Sequence, residues 1–465
     1  MIFFIFVFAL ILRFLYFPNN IYFGYDQARD AFAAGEIING HLKIIGPTTT
    51  FEGLHHGVLY YYLYAPFYWL GQGDPAIVAA LLRVVNSLGV FVIFAIGYVL
   101  FNIPVGLVAA WLYAISFEQT QFAMYFNHPS LAVISILVMY FGLSLLIFKR
   151  KDFGLIIAFL GLGLSIQFEF ILTYLIVPFT AILFVFRKST PNISFKIFSL
   201  GFISFFITVL TFLIAEIKFS FRSSNILPQL LLGNTHKSLY RIISTYLFEM
   251  AQVIKFNLVN IEQLRFIAGL AFFFPFLSFL FSKVKKQMIF LGIWFFATLI
   301  VYFITGGSEL NVDIIQYHPN VGASLSLGLF SAYLLYTIGK RTSHLVTVAL
   351  IILITSLNIS LIQKINPSGS MPEINAQSFM LLSDEKKVLD SIYTDAEGKP
   401  FAVKAVTLPF YVNSTWSYLF EWYGKKRYGY LPVWGGKNAI GYPGNLEVEE
   451  AQNKLPSKRY LIMLL

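Results

Sequence analysis

The sequence predicts a polytopic α-helical membrane protein carrying a small α/β domain at its C-terminal end. Three observations carry that expectation. The 465 residues are 57% hydrophobic and only 12% charged, with a mean hydropathy of +0.72, too apolar for a water-soluble chain. Apolar runs of about 20 residues recur up to residue 363, the length a helix needs to cross the hydrocarbon core. Beyond 363 the composition turns polar, and turn signals such as NPSGS and EGKP appear. Solid apolar runs, rather than short alternating segments, argue against a transmembrane β-barrel.

Spans are expected near 2–17, 76–100, 103–117, 129–148, 153–167, 170–186, 197–216, 264–282, 288–304, 320–339 and 344–363. The first has no basic leading region and no small-residue cleavage site, so it reads as a retained span. The runs 153–167 and 170–186 could instead be one long, bent span. Basic residues decide between the readings. Lys149, Arg150 and Lys151 follow the fourth run, Arg187, Lys188 and Lys196 the sixth, Lys283, Lys285 and Lys286 the eighth, Lys340 and Arg341 the tenth. With about eleven spans all these clusters fall on one side. The loops 118–128 and 305–319 on the other side carry no Lys or Arg. The positive-inside rule puts the basic loops in the cytoplasm. The expectation is a multi-pass protein of the plasma (inner) membrane, with 18–75, 217–263 and the tail outside.

The tail, 364–465, reads as an extracytoplasmic α/β domain of about 100 residues. FAVKAV alternates like a strand, SDEKKVLDSIY reads as a capped helix, and the terminal KRYLIMLL reads as an unfinished strand, as in a truncated chain. The chain has no Cys, which excludes disulfides and Cys-ligated metal. A net charge of +10 suits cationic cytoplasmic loops. No basic groove interleaved with aromatics suggests nucleic acid, and no Walker loop, HExxH or G-x-S-x-G is present.

Chemistry-bearing residues concentrate outside. GYDQARD, from Gly24 to Asp30, packs Asp26, Arg29 and Asp30 just beyond the first span. Ala31, Ala34, Ile37 and Ile38 then recur with helical spacing until Gly40, as in an amphipathic helix lying in the interface. Carboxylates suit the start of such a helix, and the plain reading of Asp30 is a helix-start residue paired with Arg29. Asp26 precedes the periodic stretch and reads as functional. FEGLHHGVLYYYLYAPFYWLG follows. An interfacial aromatic belt explains Tyr60, Tyr61 and Tyr62, but not Glu52, His55 and His56. Asn127 and His128 open the fourth span, Gln167 and Glu169 lie at the turn between the fifth and sixth, and His318 opens the tenth. Arg13 and Arg83 lie in the outer halves of the first two spans. Singly, each is commonly a cap or a snorkelling side chain. Their convergence on one face predicts an acidic, His-containing cleft at the outer leaflet.

A first span with a late Arg, followed by the acidic D-x-x-R of Asp26 and Arg29, resembles the GT-C superfamily of membrane glycosyltransferases. The protein O-mannosyltransferase and aminoarabinose-transferase branch looks most similar. Its pattern continues through Gly40-His41-Leu42, Pro47, Gly57-Val58-Leu59-Tyr60-Tyr61 and Arg83, and FNHPSL resembles a later W-N-P-S-type motif. The likeness covers about residues 1–180. Two positions depart from it: Gln27 stands where a second acidic residue is usual, and His56-Gly57-Val58 replaces a Lys-Pro.

The resemblance implies Asp26 as the catalytic carboxylate and a polyprenyl-phosphate sugar as donor. Topology points the same way, since nucleotide sugars are cytoplasmic while the site faces outward. The implied reaction is a single displacement with inversion, Asp26 accepting the proton of an attacking hydroxyl. Arg29, Arg83 or His56 would stabilise the leaving phosphate, or a divalent metal ion held by His55, His56 and His318 with a carboxylate. Catalysis falls to Asp26, Asp30 and Arg29, and substrate binding to Glu52, His55, His56, Tyr60, Arg83, Asn127, His128, Glu169 and His318. The loop 217–263, with Asn234, His236, Lys237 and Arg241, would act as a lid. The acceptor could be protein, lipid or glycan. An oligosaccharide ligase or oligosaccharyltransferase-like enzyme is the near alternative, and a lipid or polysaccharide transporter or flippase the distant one. A transporter would carry midplane ionisable residues in matched repeats, which the sequence does not display. A third alternative is a non-catalytic sensor or assembly subunit.

Overall fold

The computed structural model describes residues 1–49, 53–226, 238–259, 275–305, 318–436 and 444–463. Glu52, Asn234, His236, Lys237 and most of the expected span 264–282 lie outside the described residues. The helices of the first part are α1 (Ile2–Phe14), α2 (Tyr25–Ile38), α3 (Leu59–Leu70), α4 (Pro75–Leu100), α5 (Ile103–Ile115), α6 (Phe117–Met124), α7 (Pro129–Phe148), α8 (Gly154–Phe168), α9 (Ile176–Val185) and α10 (Phe195–Lys218). Then come α11 (Leu239–Asn257), α12 (Lys285–Phe295), α13 (Leu299–Thr305), α14 (Ala323–Arg341) and α15 (His344–Ile365). Among the described residues, Pro75–Leu100, Pro129–Phe148, Phe195–Lys218, Lys285–Ile304 and His344–Ser368 are long and apolar enough to cross a membrane. Ile2–Phe14, Ile103–Ile115, Gly154–Phe168 and Phe170–Val185 are shorter apolar helices.

Local chemistry sets the helix starts. Asp74 accepts a hydrogen bond from the Ala76 amide (2.9 Å) ahead of Pro75, and Asn102 does the same for Val105 (3.0 Å) ahead of Pro104. Small residues set the closest helix contact: a Cβ on Gly161 would meet the Met139 backbone, and one on Gly154 would meet Leu146 N at 2.8 Å, so α7 and α8 lie backbone to backbone. α8 ends at Phe168. Glu169 is extended (φ −148°, ψ 107°), and a 3-10 turn over Phe170–Leu175 leads into α9. Phe159 and Phe179, equally far before and after Glu169, have ring centroids 5.1 Å apart. The chain therefore doubles back at Glu169 rather than running on as one bent helix.

The two ends of the bundle differ. Phe148, Phe186 and Phe290 cluster at one end, with centroids 6.0 and 6.4 Å apart. There Lys286 Nζ lies 3.1 Å from Ser189 Oγ and Gln287 Nε2 donates to Leu100 O at 3.1 Å. The basic segments after α7, after α9 and before α12 thus share one end, and Glu169 lies at the other.

The tail begins on that second end. Asn20 Nδ2 donates to Asn366 O (3.0 Å), Gln121 Nε2 to Asn366 Oδ1 (2.7 Å), and Met371 N to Gln121 Oε1 (2.7 Å). Residues 21–23 then pair antiparallel with 380–382: Phe23 N donates to Met380 O and Leu382 N to Ile21 O, both at 2.8 Å. α16 (Met371–Ala376), α17 (Leu382–Ala396), α18 (Ser414–Leu419) and α19 (Lys425–Tyr428) accompany three parallel strands, β1 (Phe401–Val406), β2 (Val433–Trp434) and β3 (Lys458–Met463), in the order β2-β1-β3. The register pairs Phe401 with Lys458 and Val406 with Met463.

Three local expectations change. α2 starts at Tyr25, so Asp26 lies inside its first turn rather than ahead of the helix. α17 has no side-chain cap; the Ser383 hydroxyl donates instead to Asn19 O at 3.2 Å. In β1, Phe401, Ala402 and Val403 are buried in succession rather than alternately, because a central parallel strand is covered on both faces.

Candidate active site

The site grows from the N-terminus of α2. Gln27 folds back so that its Oε1 accepts the Gly24 amide proton (2.9 Å), closing the first turn. Asp26, in that turn, keeps 47% of its side chain exposed. One turn on, Arg29 Nη1 reaches Asp26 Oδ1 at 2.5 Å, while its Nη2 and Nε lie 2.8 and 2.9 Å from Asp30 Oδ1. The Tyr60 hydroxyl, from α3, donates to the same Asp30 oxygen at 3.0 Å. Burial pushes the Asp30 carboxyl up to about 6, although Arg29 pulls it down. Arg29 therefore joins an exposed carboxylate to a buried one.

The second group forms around Glu169, which the break after α8 frees from the helix and which is buried. His318 Nδ1 lies 2.7 Å from Glu169 Oε2, His128 Nδ1 3.4 Å from the same oxygen, and His56 Nδ1 3.3 Å from Oε1. His128 is the residue before Pro129 that opens α7. Its Nδ1 is also 2.7 Å from Phe168 O. A carbonyl only accepts, so this nitrogen carries the proton and Nε2 of a neutral ring keeps the lone pair. His318 Nε2 meets the Tyr125 hydroxyl at 3.0 Å.

His56 arrives on a short two-stranded turn. Thr49 N donates to Leu54 O and His56 N to Pro47 O, both at 2.9 Å. Gly57 then presses on the end of α8, where a Cβ would collide with the Gln167 carbonyl and side chain. Only a glycine lets residue 56 come this close to Glu169.

Charges within the cluster sort themselves. Burial lowers the His56 and His128 pKa values, and Glu169 only partly restores them. For His318 burial also lowers the value, but Glu169 outweighs it and the net shift is upward. Burial raises the Glu169 carboxyl, yet His56, His318 and His128 together pull it below the ordinary carboxylate range. Asp26 acts on His56 and His318 in the same sense, raising both. The Tyr60 ring lies 5.5 Å from that of His128. The two groups therefore form one electrostatic site.

The other expected residues are placed as follows. His55 and His56 both line a cavity of about 370 Å³ with Leu54, Phe170, Phe212, Phe219 and Arg222. Asn127 accepts the His128 amide at 2.8 Å. Arg83 is buried, its donors taken by Arg13 O (3.1 Å), Ala79 O (2.9 Å) and Asn20 Oδ1 (3.1 Å). Arg13 is similarly spent on Asn86 Oδ1 (2.6 Å) and Ala114 O (2.9 Å). Arg241 is exposed. Of the expected metal ligands, His56 lies with His128 and Glu169 in a triad whose ligand atoms fall within 4.8 Å of one another; His318 touches that triad through Glu169, and His55 is not part of it. Glu373, in α16, carried no signal in the sequence, yet it lies 2.9 Å from Gln27 across 346 positions of chain.

No family model matches the sequence, and no curated protein matches it. Solved structures do match. The chain is similar to ArnT from Cupriavidus metallidurans, solved bound to undecaprenyl phosphate: TM-score 0.56, 10% identity, over 94% of this chain and 86% of that one. The apo form of the same ArnT gives 0.56 over 93% and 85%. The Archaeoglobus fulgidus oligosaccharyltransferase tethered with an acceptor peptide gives 0.50 at 12% identity, over 89% of this chain and 62% of that one. The chain thus spans less than two thirds of the archaeal enzyme. This chain shares the polytopic helical fold of ArnT, as the resemblance over residues 1–180 implies.

Proposed function

We propose that the chain is an integral-membrane glycosyltransferase, moving a sugar from a polyprenyl-phosphate donor to a hydroxyl acceptor on the extracytoplasmic face. The observation that carries this reading is the meeting of Asp26–Arg29 with the Glu169 imidazoles at the end of an ArnT-like bundle away from the basic loops. Positive-inside bias makes that end the outer one. The site then faces a compartment where an activated sugar arrives on a lipid.

In this mechanism Asp26 accepts the acceptor's hydroxyl proton as the oxygen attacks the anomeric carbon. The bond from that carbon to the phosphate oxygen breaks on the opposite side, so configuration inverts and the lipid phosphate leaves. Arg29 and His318, whose protonated form Glu169 favours, supply positive charge for it. The cavity beside His55 and His56 has an apolar wall of Leu54, Phe170, Phe212 and Phe219, which suits an isoprenoid chain with its headgroup at His56. Asp30 and Tyr60 orient Arg29. Within 217–263, the described helix α11 packs Tyr246, Met250 and Val253 into the bundle beside Tyr302 and Leu327, and the tail from 364 would form a domain above the site.

Two imidazoles and a carboxylate, His56, His128 and Glu169, are a fitting donor set for a divalent ion. The His128 Nδ1–H bond to Phe168 O is the outer-shell contact that orients such a ligand. A bound ion would add positive charge beside the leaving phosphate.

The test has two arms: mass spectrometry of proteins, lipids and glycans from cells with and without the gene, and binding of undecaprenyl phosphate by the purified chain. A sugar lost from one acceptor class, together with saturable binding, supports the reading and names the acceptor. Unchanged glycans with no binding would remove it.

A further inference from the structure

Gln27 occupies the place where the first outer loop departs from its acidic pattern, and its side chain is fully engaged. Its Oε1 holds the Gly24 amide at 2.9 Å. Its Nε2 donates to Phe126 O at 2.8 Å and to Glu373 Oε1 at 2.9 Å. The same Glu373 oxygen accepts the Phe126 amide at 3.0 Å, and Glu373 Oε2 accepts the Ser370 hydroxyl. Gln27 and Glu373 are both buried. One carboxyl from the tail thus grips the first turn of α2, which carries Asp26, and the 125–128 turn, which carries His128 and the Tyr125 that meets His318.

We infer that Glu373 is a positioning residue for sugar transfer: by binding the Gln27 amide and the Phe126 backbone together, it sets the distance between Asp26 and the Glu169 imidazoles. This rests on the function proposed above. General stapling of the tail does not need it, because the Asn366 contacts and the pairing of 21–23 with 380–382 already provide that. Glu373 alone, among the described residues of the tail, hydrogen-bonds to both halves of the site. It shares the Gln27 NH₂ with Phe126 O, so losing the carboxyl removes one of the two acceptors that hold that side chain. Burial pushes the Glu373 carboxyl up to about 8, against the pull of Ser370, the Phe126 amide and Arg83. Glutamine keeps its shape and the oxygen that accepts from Gln27 and Phe126, so it is the closest mimic.

The experiment compares the full chain with Glu373→Gln, Glu373→Leu and, as a control whose contacts stay within the tail, Asp390→Asn. Three quantities are measured: the glycan product in complemented cells at equal protein level, affinity for undecaprenyl phosphate, and amide hydrogen exchange over 24–28 and 126–128. Misplacing a catalytic group by an ångström costs about 100-fold, so Glu373→Leu should lose about that much product while its undecaprenyl phosphate affinity changes by less than about twofold. Exchange should rise in both segments. Glu373→Gln should restore product and protection, and Asp390→Asn should match wild type. Wild-type product in Glu373→Leu would overturn the inference. So would an affinity loss matching the product loss, which marks general collapse, or a Glu373→Gln as impaired as Glu373→Leu. Failure of the function itself looks different: wild type then yields no product and binds no undecaprenyl phosphate.

Discussion

Asp26 and Asp30 sit one helical turn apart on the same arginine, but in opposite environments. Asp26 is half-exposed and can meet a substrate; Asp30 is buried against Tyr60. Asp26→Asn keeps size but not basicity, so transfer should fall about 10²–10⁴-fold at unchanged protein level. Asp30→Asn keeps an acceptor for Tyr60 and loses only the charge on Arg29, so a loss of about tenfold is expected. Turnover of both variants in one assay checks the order; a larger loss in Asp30→Asn would move the base. Glu169→Gln tests the cluster by pH. The native carboxyl lies below its ordinary value, so its contribution is present above about pH 4.3 and lost as pH falls through the native value. His318 lies above its ordinary value, so its contribution is full below about pH 6.5 and lost as pH rises through the native value. The destabilisation by Glu169→Gln should therefore peak between these limits and shrink at alkaline pH. Its size belongs at the low end of the about 3–5 kcal/mol for a broken buried pair, since His318 is 41% exposed and solvent screens it. Thermal unfolding of both proteins across pH reads this directly.

Individual elements bring these residues into register. The break after α8 turns Glu169 inward, the Pro129 start of α7 supplies His128, and the Gly57 contact supplies His56. Gly57→Ala should destabilise the chain by about 1–3 kcal/mol, the usual cost of overpacking, and should weaken any metal affinity more than Gly35→Ala, where a Cβ has open space. Metal analysis and melting of the two variants test this. Exhaustive chelation of the wild type is the complementary measurement: lost transfer restored by a divalent ion is expected if the His56–His128–Glu169 set is loaded, whereas full activity without metal would leave the phosphate to Arg29 and His318. At this scale the sequence was legible where period and punctuation agreed, as at α4, α5 and α7. It misled at α2, because Tyr25 to Asp30 is polar and breaks the apolar period although Ala28 and Ala31 pack inward. It misled at β1 because consecutive burial depends on what covers each face.

Sidedness belongs to the whole molecule. The native chain has no Cys, so single cysteines report cleanly. Ser391→Cys in the tail should react with an impermeant reagent in intact cells, and Lys285→Cys only after permeabilisation. The reverse pattern would place the site in the cytoplasm and remove the argument for a lipid-borne sugar. The shared end of the basic segments, joined through Phe148, Phe186, Phe290 and Lys286, makes the two labels opposite whatever the orientation.

The sequence by itself determined the membrane class and the loop that carries Asp26, Arg29 and Asp30. These follow from composition, apolar run length and local motif, all of which act over neighbouring residues. It also pointed to His56, His128, Glu169 and His318 as separate candidates at span ends. Only the tertiary structure decided that the three histidines share the Glu169 carboxylate, that His55 stands outside that group, and that Arg13 and Arg83 spend their donors on helix carbonyls and asparagines. Side-chain direction and long-range pairing fix these outcomes, and no periodicity encodes them. The grip of Glu373 on Gln27 is the extreme case: two ordinary polar residues, 346 positions apart, become informative only when the chain brings them together.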